Sequence, residues 1–112
     1  MDAELLPLAQ AVIGGDASYA IAAVAGRESA YVQFADVGDG IVVEVADPAD
    51  NGGEALTPDA LAALEELGFN KGTVNHELIV PADAATVAGT AAKAITAAYG
   101  VSDASALELS SG

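Results

Sequence analysis

The chain lacks cysteine and tryptophan, has a single histidine, and sets only three basic residues against 17 acidic ones. Without cysteine there is no disulfide, no thiol chemistry and no thiolate metal site. One imidazole, His76, cannot build a zinc site alone. No Gly-x-Ser-x-Gly elbow supplies a serine for it to activate. Gly38-Asp39-Gly40 and Gly52-Gly53 lack the spacing and the following lysine of a phosphate cradle. No apolar run reaches membrane-spanning length. The opening Met1-Asp2-Ala3-Glu4 has no basic n-region of a signal peptide, so a soluble, cytoplasmic protein is expected.

The shortage of bases gives a formal charge of −14 and a pI near 4.1. Such a field repels phosphate backbones and anionic lipid, which excludes nucleic-acid and membrane-surface roles as expectations. It attracts a basic polypeptide segment. The acids are spread along the chain, a pattern that equally fits a solubility trait or an adaptation to salt.

What is present is apolar and small. Hydrophobic residues make up 53% of 112 residues and mean hydropathy is +0.42, which argues for an ordered chain despite the charge. About a quarter of the residues are alanine and 4% are aromatic, so the core must be light and closely packed. One domain over residues 1–112 is expected, since the length suffices for a core without metal or disulfide.

The best-punctuated stretch is Leu56 to Phe69. Thr57 reads as an N-cap, Pro58 as N1, Leu56 and Leu61 as a hydrophobic staple, and Gly68 as C′. Leu61, Leu64 and Leu67 form its apolar stripe, while Glu65 and Glu66 face water. Before it, Asp2 to Ile13 reads as a helix stopped at Gly14, with Pro7 suggesting that the regular part starts near Leu6. Ala17–Ala25, Ala30–Ala35 and Ile41–Ala46 read as an antiparallel meander, with the Val37–Gly40 turn between the last two. Tyr19, Ile21 and Ala23 alternate with smaller residues in the first run, whose alanine content also fits a helix. Thr73 to Val80 is a strand carrying Val74, His76, Leu78 and Val80 on one side. Asp83 caps a helix over Ala84–Tyr99 whose buried stripe is Val87, Ala91, Ala94, Ile95 and Ala98, closed by Gly100. Val101 and Leu107 pack back before a frayed Ser-Ser-Gly tail. An extra short strand near Asn70 fits as well.

Chemistry-bearing clusters are scarce. Asp47, Asp50, Asn51 and Glu54 fall in one loop, but Ala49 occupies a ligand place of the EF-hand spacing, so a solvated loop is expected. Glu65 and Glu66 diverge on a helix and do not form an acid/base couple. No enzyme activity, metal or cofactor is expected. Tyr31, Phe69 and Tyr99 stand out as large residues, each a core filler or an anchor in a peptide groove. His76 is a partly buried, hydrogen-bonded ring or an interface residue.

The runs YVQFADVGDGIVVEVADP and LTPDALAALEELGF, then Asn75, then ADAATVAGTAAKAITAAYGV with Leu107, resemble the TY-Chap domains. These are bacterial proteins allied to the YbjN family and to type III secretion chaperones. Tyr31, Gln33, Phe34, Glu44, Leu56, Pro58, Leu64, Leu67, Gly68, Asn75, Lys93, Ile95, Tyr99, Gly100 and Val101 occupy the pattern positions. Phe69 stands where the pattern has Trp, His76 where an aromatic is common, and Lys93 where Arg is usual. The resemblance implies an α+β, type III secretion chaperone-like fold, α-β-β-β-α-β(-β)-α, with helices packed on an antiparallel sheet and frequent dimers. It implies binding of a client protein segment without ATP or metal.

The expected function is a non-enzymatic, chaperone-like or adaptor module for a client polypeptide, through Tyr31, Leu61, Leu64, Phe69 and His76. The second reading is a structural or regulatory homodimer built on the central helix, and the third a small enzyme or metal-binding domain.

Overall fold

The structure, a computed structural model, describes all residues but Gly52, Glu54, Thr73 and Val74, and all their side chains but those of Glu28, Asp50 and Asn51. Helix α1 (Asp2–Gly14) is followed by β1 (Tyr19–Val24), β2 (Arg27–Asp36) and β3 (Ile41–Val45), then by a 3₁₀ turn at Pro48–Asn51. Helix α2 (Pro58–Glu66), β4 (Asn70–Lys71), β5 (His76–Val80), α3 (Ala84–Tyr99) and β6 (Leu107–Ser111) complete it. The strands form one antiparallel sheet in the order β4-β5-β3-β2-β1-β6. The three helices pack on one face of it, α3 in the middle against α1 and α2.

Local chemistry explains the helix ends. The Ala60 N–H donates to Thr57 Oγ1 at 3.1 Å and Pro58 follows at N1. At the other end Gly68 (φ 101°) donates to the Glu65 carbonyl, and Phe69 reaches back to the Leu64 carbonyl at 3.0 Å. That is the Schellman pair of bonds, and only glycine takes its left-handed residue cheaply. Thr57→Ala should lower unfolding stability by about 1 kcal/mol, read as a shifted urea midpoint with unchanged slope. On α3, Asp83 Oδ2 accepts from both the backbone N–H and the hydroxyl of Thr86. Those bonds hold its carboxyl below the ordinary carboxylate value. The cap is therefore fully present above that ordinary value and is lost as pH falls through the lower, folded one.

The core is small residues closed by a few large ones. Ala20 and Ala22 on β1 and Ala91 and Ala94 on α3 are fully buried, as are Leu5, Phe34, Ile41, Val43 and Ile95. Alanine on both sides lets helices sit close to strands, so dispersion contacts replace the area that larger side chains would bury. Gly40 serves the same closeness. A Cβ there would stand 2.5 Å from the Val80 carbonyl oxygen of β5.

Tyr99 locks the last turn of α3 to the sheet. Its hydroxyl lies between the carbonyl oxygens of Tyr31, at 2.9 Å, and Ala46, while Arg27 sits 5.7 Å from the ring centroid. Burial pushes its phenol well above the ordinary 10.0. Tyr99→Phe should cost about 1–2 kcal/mol, because carbonyls at a buried site lose their donor. The folded state keeps the proton, so the unfolded chain ionises first. Stability is thus whole below pH 10.0 and falls as pH rises above it. Chemical denaturation at neutral and alkaline pH should show the wild type losing its advantage over Tyr99→Phe.

Several elements differ from the sequence reading. α1 begins at Asp2, not near Leu6. Pro7 removes only the donor for the exposed Ala3 carbonyl, which water can serve. On β1 the alternation is as read, but the core takes Ala20, Ala22 and Val24 and leaves Tyr19 40% exposed. Leu61 is 38% exposed, and Ala60 takes the buried line with Leu64. The tail is no frayed end: Leu107–Ser111 pairs with β1 as a sixth strand. The short strand near Asn70 is present as β4, while Thr73 and Val74 fall outside the described residues.

Candidate functional site: the uncovered sheet face

Because side chains alternate along a strand and paired residues share a face, the register fixes what the uncovered face presents. Tyr19, Ala35, Val42 and Ile79 lie in one row across β1, β2, β3 and β5. The next row holds Ser110, Ile21, Gln33, Glu44, Glu77 and Asn70, running from β6 to β4. A third row carries Glu108, Ala23 and Tyr31. With strands about 4.8 Å apart, six of them offer about 24 Å, the span of roughly seven extended residues.

This face is apolar and acidic at once. Ile79 is 59% exposed and Tyr19 40%, while Ile21, Ala23, Tyr31 and Ala35 are half-buried. Glu44 and Glu77 stand directly opposite each other on β3 and β5. Like charges in that arrangement repel, at a cost in sheet stability. Asn75 steadies one of them, its Nδ2 donating to Glu44 Oε2 at 3.1 Å. Its own Oδ1 is buried with no hydrogen-bond donor among the described residues.

The three bases lie elsewhere. Arg27 sits against Tyr99 of α3. Lys71 shares the helix-side face with His76 and reaches Asp47 at 4.0 Å. Lys93 is exposed on α3. The uncovered face therefore carries carboxylates and no base among the described residues.

Of the residues singled out from the sequence, Tyr31 alone belongs to this face. Leu64 (1% exposed) and Phe69 (4%) are core residues, and Leu61 projects from the outer side of α2. His76 is buried on the helix side, with Nε2 3.9 Å from Asp47 Oδ2. Of the loop acids weighed as ion ligands, only the Asp47 side chain lies within the described residues, and it faces His76 and Lys71. Among the described residues no group of three His, Cys, Asp or Glu side chains could hold a metal ion. No helix there is long and apolar enough to cross a membrane.

Sequence reasoning missed Tyr19, Ile21, Val42, Glu77 and Ile79 as site residues. The signal was present: Val42-Val43 and Ile79-Val80 place apolar side chains on both faces of their strands, more than one core requires. An open groove of about 680 Å³ lies among α1, α2 and α3. Its lining mixes Asp2 and Glu66 with Lys93 around Ala63, Leu67 and Ala97.

The TY-Chap3 family model, described as T3SS (YopN, CesT) and YbjN peptide-binding chaperone 3, matches residues 6–112. No curated protein and no solved structure matches the chain. The uncovered antiparallel sheet backed by three helices suits that description, and the match spans nearly the whole length. The chain belongs to the TY-Chap3 family of T3SS and YbjN peptide-binding chaperones.

Proposed function

We propose that the protein is a non-enzymatic client-binding module that takes an extended, basic polypeptide segment on its uncovered sheet face. One observation carries this reading. An apolar row from Tyr19 to Ile79 runs beside two opposed glutamates, with no base among the described residues of that face. A client side chain bearing ammonium or guanidinium relieves the Glu44–Glu77 repulsion, while its apolar neighbours cover Tyr19 and Ile79. The charge of −14 adds long-range steering for such segments. No nucleotide, metal or covalent step is needed. The mixed charge of the helix-side groove suits a basic segment less well.

The test is fluorescence anisotropy with a short labelled peptide alternating lysine and valine, beside a control in which glutamate replaces lysine. Binding of the lysine peptide should weaken by about tenfold or more between low and high salt, as ion contacts are screened. The glutamate control should stay unbound. Equal binding of both peptides, or affinity indifferent to salt, would overturn the reading.

A further inference from the structure

The helix layer is sunken along its middle. Helix α3 lies between α1 and α2, and its outer side carries Ala92, Lys93, Thr96 and Ala97, one face by their spacing of four. Helix α2 adds Ala63, Glu66 and Leu67, again one face by spacings of three and four. Leu67, which belongs to the apolar stripe of the sequence, is only partly buried and gives the rest of its surface to this groove. Alanines on the middle helix keep the groove open at about 680 Å³, within the range of about 300–1,000 Å³ typical of ligand clefts.

Charge is ordered along it. Asp2 marks one end, since a Cβ on Gly89 of α3 would stand 3.5 Å from its Oδ2. Lys93 follows one turn later, about 6 Å along the helix axis. Glu66 stands on the α2 wall. Arg27 lies against the Tyr99 ring and Lys71 beside Asp47, whereas Lys93 makes no ion pair among the described residues. An exposed ammonium with no carboxylate, in a chain of 17 acids, stands beside an apolar floor.

From this order we infer that the groove binds the free C-terminal end of a polypeptide whose last residues are apolar. Its terminal carboxylate pairs with the Lys93 ammonium, and its last side chains cover Ala92, Ala97 and Leu67. A base about two residues in, the extended span that matches 6 Å, meets Asp2. A fatty carboxylate leaves Asp2 and Glu66 facing its tail, and an acidic segment sets further negative charge beside them. A peptide end with one carboxylate and one base matches both signs. The core separates this groove from the uncovered sheet face, and neither reading requires the other.

The test is fluorescence anisotropy of the full chain with an N-terminally labelled peptide ending lysine-alanine-leucine-leucine, as the free acid and as the C-terminal amide. The acid should bind about fivefold tighter, the worth of one exposed ion pair. The amide is the more cationic form, so the glutamates of the sheet face would rank the two the other way. Lys93→Gln should erase the preference. Gln10→Glu, an equal charge change on exposed α1 about two turns from Asp2, should keep it. Exchanging the peptide lysine for glutamine should weaken binding to the wild type and not to Asp2→Asn. Equal binding of acid and amide, a preference that survives Lys93→Gln, or displacement of the peptide by an equal concentration of octanoate would overturn the inference. So would an amidated peptide with an internal glutamate that binds as well as the free acid. If Lys93→Gln fails to fold by circular dichroism, the acid–amide comparison on the wild type still decides.

Discussion

Leu64→Glu should abolish cooperative folding, whereas Leu61→Glu, one turn earlier on the same helix, should leave it intact. Leu64 is 1% exposed and belongs to the core cluster with Phe34, Phe69 and Ile95. Truncating a buried leucine costs about 2–5 kcal/mol. Glutamate adds the desolvation of a carboxylate among apolar side chains, which costs more still unless the group is paired. Against a typical total of about 5–15 kcal/mol, the sum removes most or all of the stability. Leu61 is 38% exposed, and a change there should stay within about 0.5 kcal/mol. Thermal melts by circular dichroism compare the two. A folded Leu64→Glu variant would show that α2 does not bury the side on which the layered packing depends.

Ile79→Lys should leave the fold alone and impair client capture. The side chain is 59% exposed on β5, in the row with Val42 and beside Glu77. The substitution removes an apolar contact and sets an intramolecular cation next to the glutamates, where it competes with the basic client. A loss of about tenfold to thirtyfold in affinity for the lysine–valine peptide is expected, the range of an interface anchor. The melting temperature should hardly move. Ile79→Val keeps the contact and should bind nearly as wild type. Unchanged affinity in Ile79→Lys would remove β5 from the site.

Most of the architecture was legible because its signals are local. Thr57-Pro58 and Gly68 mark the ends of α2, Asp83 and Gly100 those of α3, and Gly38 the β2–β3 turn; each acts within a few residues. Ile41, Val43 and Val45 declared their face by period-2 alternation. At two places size is a poor guide to burial. On β1 the bulky Tyr19 and Ile21 point away from the core, which takes the smaller Ala20 and Ala22 with Val24 beneath the helices. On α2 the stripe read as Leu61, Leu64 and Leu67 holds at Leu64, but Ala60 rather than Leu61 is its buried member in the first turn. β6 was illegible for another reason. LELSS has no strong strand propensity, and its partner β1 lies more than eighty residues away in sequence, so pairing is a tertiary effect.

The candidate site was less legible than the fold. Glu44, Gln33 and Asn75 were noticed only as pattern positions, and nothing local reveals that β3 and β5 are neighbours with Glu44 facing Glu77. The crossover through α2 creates that pair. Phe69 and Leu64 drew attention by size, yet the Schellman turn that joins them carries both inward.

The most direct measurement is amide chemical-shift mapping of the ¹⁵N-labelled protein during titration with the lysine–valine peptide at low salt. Shifts should concentrate at Ile21, Gln33, Val42, Glu44, Glu77 and Ile79, with α2 and α3 unmoved. Shifts confined to Ala63, Leu67, Lys93 and Ala97 in the helix-side groove, or none anywhere, would contradict a client site on the open sheet.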